Sequence, residues 1–391
     1  MTLNSSESII LGISGSISAY KSLDIIRNLR KSGIKIVPCL SESAHRFVTP
    51  WTVETLAEAP IVSSDVINGT IQHLAMASNA NLFVLCPTSA NMLAKLANGH
   101  CSDILSAAFL SFTGPKLLFP AMHTEMWEHP MTQKNVTTLR DSGVVIIPPD
   151  TGDLACGDVG AGRLPDVNVI TSIILAYTNA PLNLNGQRLT ITSGGTHAPI
   201  DPVRAISNHA SGMSGHALAN IAAGFGADVT LIRTHTHPTL STIQCLQVQT
   251  TDDMRSACQS MVHASDALLM NAAVSDFTVP FQATKHTRQH PLSLTLTPTH
   301  DILAEFNEQK PDHCISVGYC LSDTDNLEAL ARNKKDAKGC DWMVANRSDN
   351  LGSEQRHVTI ISPDNHTHTF TGSLPALSVH LLNTILCHSP S

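Results

Sequence analysis

The chain predicts an α/β protein of two Rossmann-like parallel-sheet domains, and three observations carry that prediction. First, the isoleucine-rich apolar run from Ser8 to Ser14 passes through Gly12 and Gly15 into Ile17, Tyr20, Leu23 and Ile26 at helical spacing. Gly33 closes that helix and Ile34 to Leu40 begins a second apolar run, so the opening reads strand, tight loop, helix, strand, with a right-handed crossover. Second, the plan returns in the other half: Leu189 to Thr192 as strand, Ser193-Gly194-Gly195-Thr196 as loop, Gly215 to Phe225 as helix and Ala227 to Ile232 as strand. Third, Thr178 to Gly186 is polar, holds Pro181 and Gly186 and shows neither periodicity, which marks a linker between domains at 1–180 and 186–391.

Composition agrees with two buried cores. The 391 residues are 42% hydrophobic and 14% charged, and a chain of this length divides into two domains more readily than it builds one. A net charge of -8 without a Lys/Arg-rich run argues against nucleic acid or an anionic membrane as partner and leaves small molecules. No apolar stretch approaches the roughly 18 residues that span a bilayer, and Met1 to Ser8 is polar, so a soluble, cytoplasmic protein is expected. The ten cysteines form no Cys-x-x-Cys pair, which fits reduced thiols, any special one being catalytic. The pairs His235/His237 and His366/His368 have no Cys beside them and read as surface histidines, so no structural metal is assigned.

Taken in order, the first glycine loop directs backbone N–H groups and the hydroxyls of Ser14, Ser16 and Ser18 at the start of a helix, a natural phosphate site. It has neither a Walker lysine nor G-x-G-x-x-G spacing, and a plain strand-to-helix turn accounts for it equally well. The order of motifs is more specific. Gly12-Ile-Ser-Gly-Ser-Ile-Ser-Ala-Tyr-Lys21, His73-Leu, Pro87-Thr-Ser-Ala-Asn91, Pro120-Ala-Met-His-Thr-Glu-Met-Trp127 and Ala155-Cys-Gly157 through Gly160-Ala-Gly-Arg163 span most of residues 8–175. This stretch resembles the flavin-containing cysteine decarboxylases. The resemblance implies a flavodoxin-like FMN-binding fold, with Gly15, Ser16 and Ile17 on the FMN phosphate. Ser41, Pro87, Thr88, Ser89 and Asn91 would line the ribityl chain and ring, where small residues let backbone approach the cofactor. Met122 and His123 would meet the substrate, and His123 stands where the family has an asparagine on the substrate carboxylate. His73 would act as base, imidazole being the side chain that moves protons near neutral pH. Cys156, flanked by Thr151-Gly-Asp and Gly157-Asp-Val-Gly-Ala-Gly in a lid-like segment, would be the proton donor.

The second half carries its own motifs. Thr192-Ser-Gly-Gly-Thr-His, Asp201-Pro-Val-Arg204, Ser207-Asn-His-Ala-Ser-Gly212, Ala272-Ala-Val-Ser-Asp276 and Lys338-Gly-Cys-Asp-Trp-Met-Val-Ala-Asn346 are similar to the bacterial phosphopantothenate–cysteine ligases. The resemblance implies two successive steps of coenzyme A biosynthesis in one chain. CTP with Mg2+ converts the carboxylate of 4'-phosphopantothenate into an acyl-cytidylate, cysteine attacks it, and the first domain decarboxylates the product to 4'-phosphopantetheine. Lys285 would stabilise the α-phosphate, Asn208 would hold the acyl intermediate, and Arg204 would meet the substrate. Met270, Asn271, Ala272 and Asp276 would read the base, His300, Asp301, Ile302, Leu303 and Tyr319 would complete the pocket, and Lys334 and Lys338, at i and i+4, would share a phosphate-facing side. The family's Glu and Lys are replaced by Ala198 and Met213, and one residue is inserted in Gly318 to Asp323. Loss of the lysine predicts weaker binding of the acid by ~1.5–3 kcal/mol.

The resemblance further implies trimeric decarboxylase and dimeric ligase contacts, together a dodecamer. Two other classes remain open: a flavin-binding regulatory protein, which would be expected to lack Cys156 or His73, and a CTP-binding sensor, which Ala198 and Met213 would suit. In the tail from Leu351 to Ser391, His357 to Ser362 alternates as a strand does, and a helix follows.

Overall fold

The computed structural model describes residues 8–62, 66–67, 70–287, 292–350, 353 and 355–387. The chain divides into two compact units, Met1–Pro181 and Leu182–Ser391.

The sheet of the first unit holds five strands in the order Lys35–Leu40, Ser8–Ile13, Leu82–Thr88, Lys116–Pro120, Val145–Ile146, all parallel. Counted along the chain this is 2-1-3-4-5, the flavodoxin-like order. Ile9, Ile10, Leu11 and Leu82 to Cys86 are buried, as strands covered by helices on both faces require. The opening helix starts differently from the sequence expectation. Ile17–Tyr20 is a 3-10 turn capped by Ser16, and the α-helix proper is Lys21–Lys31, burying Ile25, Ile26 and Leu29. Each such side chain contributes ~1.5–3 kcal/mol by leaving water. Gly33 then turns the chain at φ 83°, a left-handed conformation that a β-carbon resists.

In the second unit an eight-stranded sheet runs Gln244–Gln247, Asp228–Arg233, Arg188–Ser193, Ala267–Met270, Ile315–Leu321, Trp342–Asn346, Gln355–Ile361, Thr367–Ser373. The first six are parallel in the doubly wound order 3-2-1-4-5-6, and the last two add antiparallel. The tail therefore supplies two strands before its helix, Leu374–Leu386, where sequence gave one. Thr367–Ser373 escapes pattern reading because it is an edge strand of polar, part-exposed residues. The linker is also shorter than expected. Thr178 and Asn179 end the helix Val167–Asn179, and Leu184 is buried with its N–H on the Phe225 carbonyl, so it packs with the second unit.

Between Arg188–Ser193 and the helix Met213–Gly224 the sequence predicts a simple loop. The structure places there a two-stranded hairpin, His197–Pro199 with Ala205–Ser207. Ala198 is buried on it, which explains a small apolar residue at that position.

Candidate functional sites at two switch points

In a doubly wound sheet, ligands bind outside the carboxyl ends of the strands where the strand order reverses. In the first unit that point lies between Ser8–Ile13 and Leu82–Thr88. Ser14 joins the two: its hydroxyl donates to the Pro87 carbonyl at 2.9 Å and accepts from the Ser89 N–H at 2.8 Å. Ser41 leaves the adjacent strand, its N–H on the Ile13 carbonyl at 3.0 Å and its hydroxyl 3.2 Å from that of Ser43. A β-carbon on Gly15 would sit 2.4 Å from the Ser43 hydroxyl, so this loop leaves space only for a bare backbone. Ser89 caps the helix Ala90–Ala97, placing Asn91 in its first turn, while Thr88 is held through its hydroxyl to the Leu85 carbonyl. Gly15, Ser16, Ile17, Ser41 and Pro87 to Asn91 thus surround one switch point, a cradle of N–H groups and small side chains that fits the phosphate and chain of a flavin nucleotide.

The Pro120-Ala-Met-His segment continues this edge: the Ala121 N–H bonds the Thr88 carbonyl, and Ser16 donates to the Ala121 carbonyl at 3.2 Å. Across it lies the antiparallel hairpin Asp150–Asp153 with Val159–Arg163. The Met122 N–H donates to Gly162, whose φ of 144° and missing β-carbon, which would meet the Met122 carbonyl at 2.1 Å, permit this approach. Cys156 is exposed at the hairpin tip and its Sγ donates to Asp158 at 3.4 Å. Asp158 also lies 2.9 Å from His123 Nε2, and the other ring nitrogen of His123 pairs with Glu125. The bond to Asp158, with the charge of Glu125 behind it, raises the His123 pKa, and the partners His123 and Cys156 lower that of Asp158.

His73 lies in the first turn of the helix Gln72–Asn79, which returns the chain to the start of Leu82–Thr88 and so begins on the carboxyl edge. Its Nδ1 is buried and has no hydrogen-bond partner among the described residues. A buried polar atom without a partner is uncommon and suits a group that acts on a ligand.

The second switch point lies between Arg188–Ser193 and Ala267–Met270. Their following loops interlock. The Ala272 N–H bonds Thr192 Oγ1 at 3.0 Å, the Ala273 N–H bonds the Gly194 carbonyl at 2.8 Å, and the Ser275 N–H bonds Thr196 Oγ1 at 2.8 Å. Asn208 Nδ2 donates to the carbonyls of Ala273 and Val274, which joins it to the loop that follows Ala267–Met270. Asp301 caps the helix Ile302–Gln309 and is ion-paired with Lys338, so two more candidates meet. Asp276 bonds Thr299 through its carbonyl, beside His300, whose ring pairs with Glu305 at 3.1 Å. Tyr319 borders the same pocket as Asn271, and burial raises its pKa, with the Asn271 side chain opposing. Lys334 and Lys338 lie on the helix Leu327–Lys338, both part-exposed.

Three of the candidate residues are engaged within the protein itself. The side chains of Ile302 and Leu303 belong to the apolar core, so only their backbone can face a nucleotide. Arg204 is engaged within the protein, its guanidinium on buried Asp201 at 2.8 Å and on the His286 carbonyl at 3.2 Å. Asp201 also accepts the N–H groups of Val203, Arg204 and His286. Burial would raise its pKa, but these bonds and the Arg204 charge hold it down to about 2. The Asp-Pro-Val-Arg string therefore anchors the loop on which Lys285 stands exposed.

Sequence reading overlooked His216. It is buried one turn into the helix Met213–Gly224, its Nδ1 2.9 Å from the Gly212 carbonyl and 3.0 Å from Ser193 Oγ, tying the glycine loop to the strand. Burial lowers its pKa to about 4, although the bond to Gly212 opposes this. A free imidazole titrates near ~6.5, so on acidification the unfolded chain takes up the proton first. The contribution of neutral His216 to stability is thus complete above about 6.5 and declines as pH falls toward about 4. In melts across that window, His216→Gln is expected to lose less stability on acidification than the parent. Equal losses would show that His216 does not govern this dependence.

Residues 2–179 match the family model described as Flavoprotein, and residues 184–386 that of the DNA/pantothenate metabolism flavoprotein C-terminal domain. The chain is 38% identical over 358 residues to the coenzyme A biosynthesis bifunctional protein CoaBC of Mycobacterium tuberculosis (strain ATCC 25618 / H37Rv), covering 86% of this chain and 85% of that one. To the protein of the same name from Bacillus subtilis (strain 168) it is 35% identical over 373 residues, covering 92% and 91%. The solved C-terminal domain of a coenzyme A biosynthesis bifunctional protein CoaBC aligns with 52% of this chain and 95% of its own at 29% identity and a TM-score of 0.44. A flavoprotein domain followed by a pantothenate-metabolism domain, at this identity over nearly the whole chain, places the protein in the family of coenzyme A biosynthesis bifunctional proteins.

Proposed function

We propose that the second unit joins cysteine to 4'-phosphopantothenate at the expense of CTP, and that the first decarboxylates the product to 4'-phosphopantetheine with FMN. The observation that carries this reading is the convergence of two independent motif sets on the switch points of two separate sheets.

In the ligation, the substrate carboxylate attacks the CTP α-phosphorus, pyrophosphate leaves, and the cysteine amine then displaces CMP from the acyl-cytidylate. Charge grows on the α-phosphate and on the carbonyl oxygen, and preorganised cations and donors lower both barriers. Lys285, on the loop anchored by Asp201, supplies the cation, and Lys334 and Lys338 face the outer phosphates, which bring Mg2+ with them. Asn208, bonded to the Ala273 and Val274 carbonyls, holds the acyl group, and the Met270 to Ala272 backbone just before them reads the base. Met213 stands exposed at the first position of its helix, where a lysine would meet an anion. Met213→Lys is expected to lower KM for phosphopantothenate by roughly tenfold or more, the equivalent of ~1.5–3 kcal/mol. An unchanged KM would remove this position from the acid-binding site.

For decarboxylation, bound flavin supplies the oxidation of the substrate thiol to a thioaldehyde, the electron sink for loss of carbon dioxide, and then returns the electrons. The chain does the rest. The Gly15 to Ile17 turn and the Pro87 to Asn91 loop fix the cofactor, His123 exchanges its contact with Asp158 for an N–H bond to the substrate carboxylate, His73 takes the proton, and Cys156 delivers one to the enethiolate. The hairpin brings Cys156 to the segment that carries Met122 and His123.

Supplying the purified protein with phosphopantothenate, cysteine, CTP and Mg2+ and following products by mass tests the whole scheme. A flavin spectrum with phosphopantetheine appearing is the expected result. A yellow protein that stops at phosphopantothenoylcysteine would overturn the role of the first unit. CTP binding without pyrophosphate release would overturn that of the second.

A further inference from the structure

We infer that His123, Cys156 and Asp158 form a binding site for one thiophilic divalent cation, with zinc the natural occupant, and that its occupancy withholds Cys156 from decarboxylation. The second clause rests on the proton-donor role proposed for Cys156; the first does not.

One ligand atom from each of the three residues lies within 4.8 Å of the others. His123 Nε2 and Cys156 Sγ approach Asp158 Oδ2 to 2.9 and 3.4 Å. Zinc holds nitrogen and oxygen at ~2.0–2.2 Å and sulfur at ~2.3 Å in a tetrahedron, so a central ion needs only side-chain adjustments at an exposed hairpin tip. Three protein ligands leave the fourth position to water or substrate. Thiolate and imidazole select zinc over the hard Mg2+ that accompanies a nucleotide.

A second observation is independent of the ligand atoms. The far ring nitrogen of His123 pairs with the Glu125 carboxylate. A carboxylate behind the imidazole fixes its tautomer and raises its basicity, the outer-shell arrangement that metal-bound histidines keep. The backbone also brings the two ligand-bearing segments together, since Met122 bonds Gly162 and Gly160 packs on Thr124 without space for a β-carbon. An asparagine at position 123 would leave only the thiol and Asp158.

Binding forms a metal–sulfur bond and releases the thiol proton to solvent, one per site. Cys156 then has no proton to deliver, and inhibition is reversed by a chelator. Ligation in the second unit is unaffected.

Cobalt reports the site directly. Titrating flavin-loaded full-length protein with Co2+ is expected to give a thiolate-to-cobalt charge-transfer band in the difference spectrum, saturating near one equivalent. Cys156→Ser and His123→Asn should abolish it, and Glu125→Gln should weaken binding by ~10-fold or more. Retained flavin absorbance shows that each variant is folded. Zinc should protect Cys156 from alkylation by iodoacetamide, read by peptide mass against the other exposed thiols, Cys101 and Cys387. Absence of the band, its survival in Cys156→Ser, or equal affinity in His123→Asn would overturn the site. A normal band with decarboxylation untouched by zinc would overturn the inhibition. Normal decarboxylation by Cys156→Ser would instead remove the proton-donor role while the band still decides the metal site.

Discussion

Phosphopantetheine formation by the Cys156→Ser protein is expected to fall by about 10²–10⁴-fold, the range for losing a positioned proton donor. Serine fills nearly the same volume, and the hairpin is held by backbone bonds of its paired strands and by Met122 to Gly162, so its geometry survives. The residues proposed to hold flavin, Gly15, Ser16, Ser41 and the Pro87 to Asn91 loop, are held by hydrogen bonds that do not involve Cys156, so the visible spectrum is expected to stay that of the parent. Thiol oxidation and loss of carbon dioxide still proceed, and the decarboxylated enethiol accumulates because the serine hydroxyl is too weak an acid to complete the cycle. Mass analysis of products checks this. Phosphopantetheine at the parent rate would assign the proton to another group.

Lys285→Gln is the counterpart in the second unit. Pyrophosphate release on mixing with phosphopantothenate and CTP should drop by about 10²–10³-fold, as when one preorganised contact to a developing charge is removed. The loop should keep its place, since His286 and not Lys285 is bonded to Asp201 and Arg204. Decarboxylation of supplied phosphopantothenoylcysteine should continue at the parent rate. Pyrophosphate release at the parent rate would show that Lys285 is a solvated loop charge.

How much of this was legible depends on the kind of signal. The two strand-loop-helix openings were readable because burial on both faces imposes apolar runs, as at Ile9 to Leu11 and Leu189 to Ile191. Switch points cannot be read from such runs, since strand order is a long-range property, yet the motif residues fell on both of them. Contacts between distant residues were invisible: Asp158 with His123, Asp301 with Lys338, and Asp201 with the backbone of His286. These pairs depend on how loops meet in space, and no local spacing encodes that. His216 gave no signal because a lone histidine in a helical pattern looks the same whether it faces water or caps a loop. Ile302 and Leu303 were read through a nucleotide motif, and their helical spacing separately sends their side chains to the core.

The helix Leu374–Leu386 packs on Met213–Gly224, the helix that follows the second glycine loop, and buries Leu377, Leu381 and Ile385. Because the chain is made from one end, the first unit has the five strands of its parallel sheet in hand by Ile146 and can fold while the other is still being synthesised. The second cannot cover the apolar side of Met213–Gly224 until Leu374–Leu386 has emerged from the ribosome, which exposes that surface for most of the time its domain takes to be translated. A stop codon ahead of Leu374 would therefore release a chain with a finished flavin half and a sticky, unsealed ligase half, an intermediate that chaperones must hold or proteases will remove.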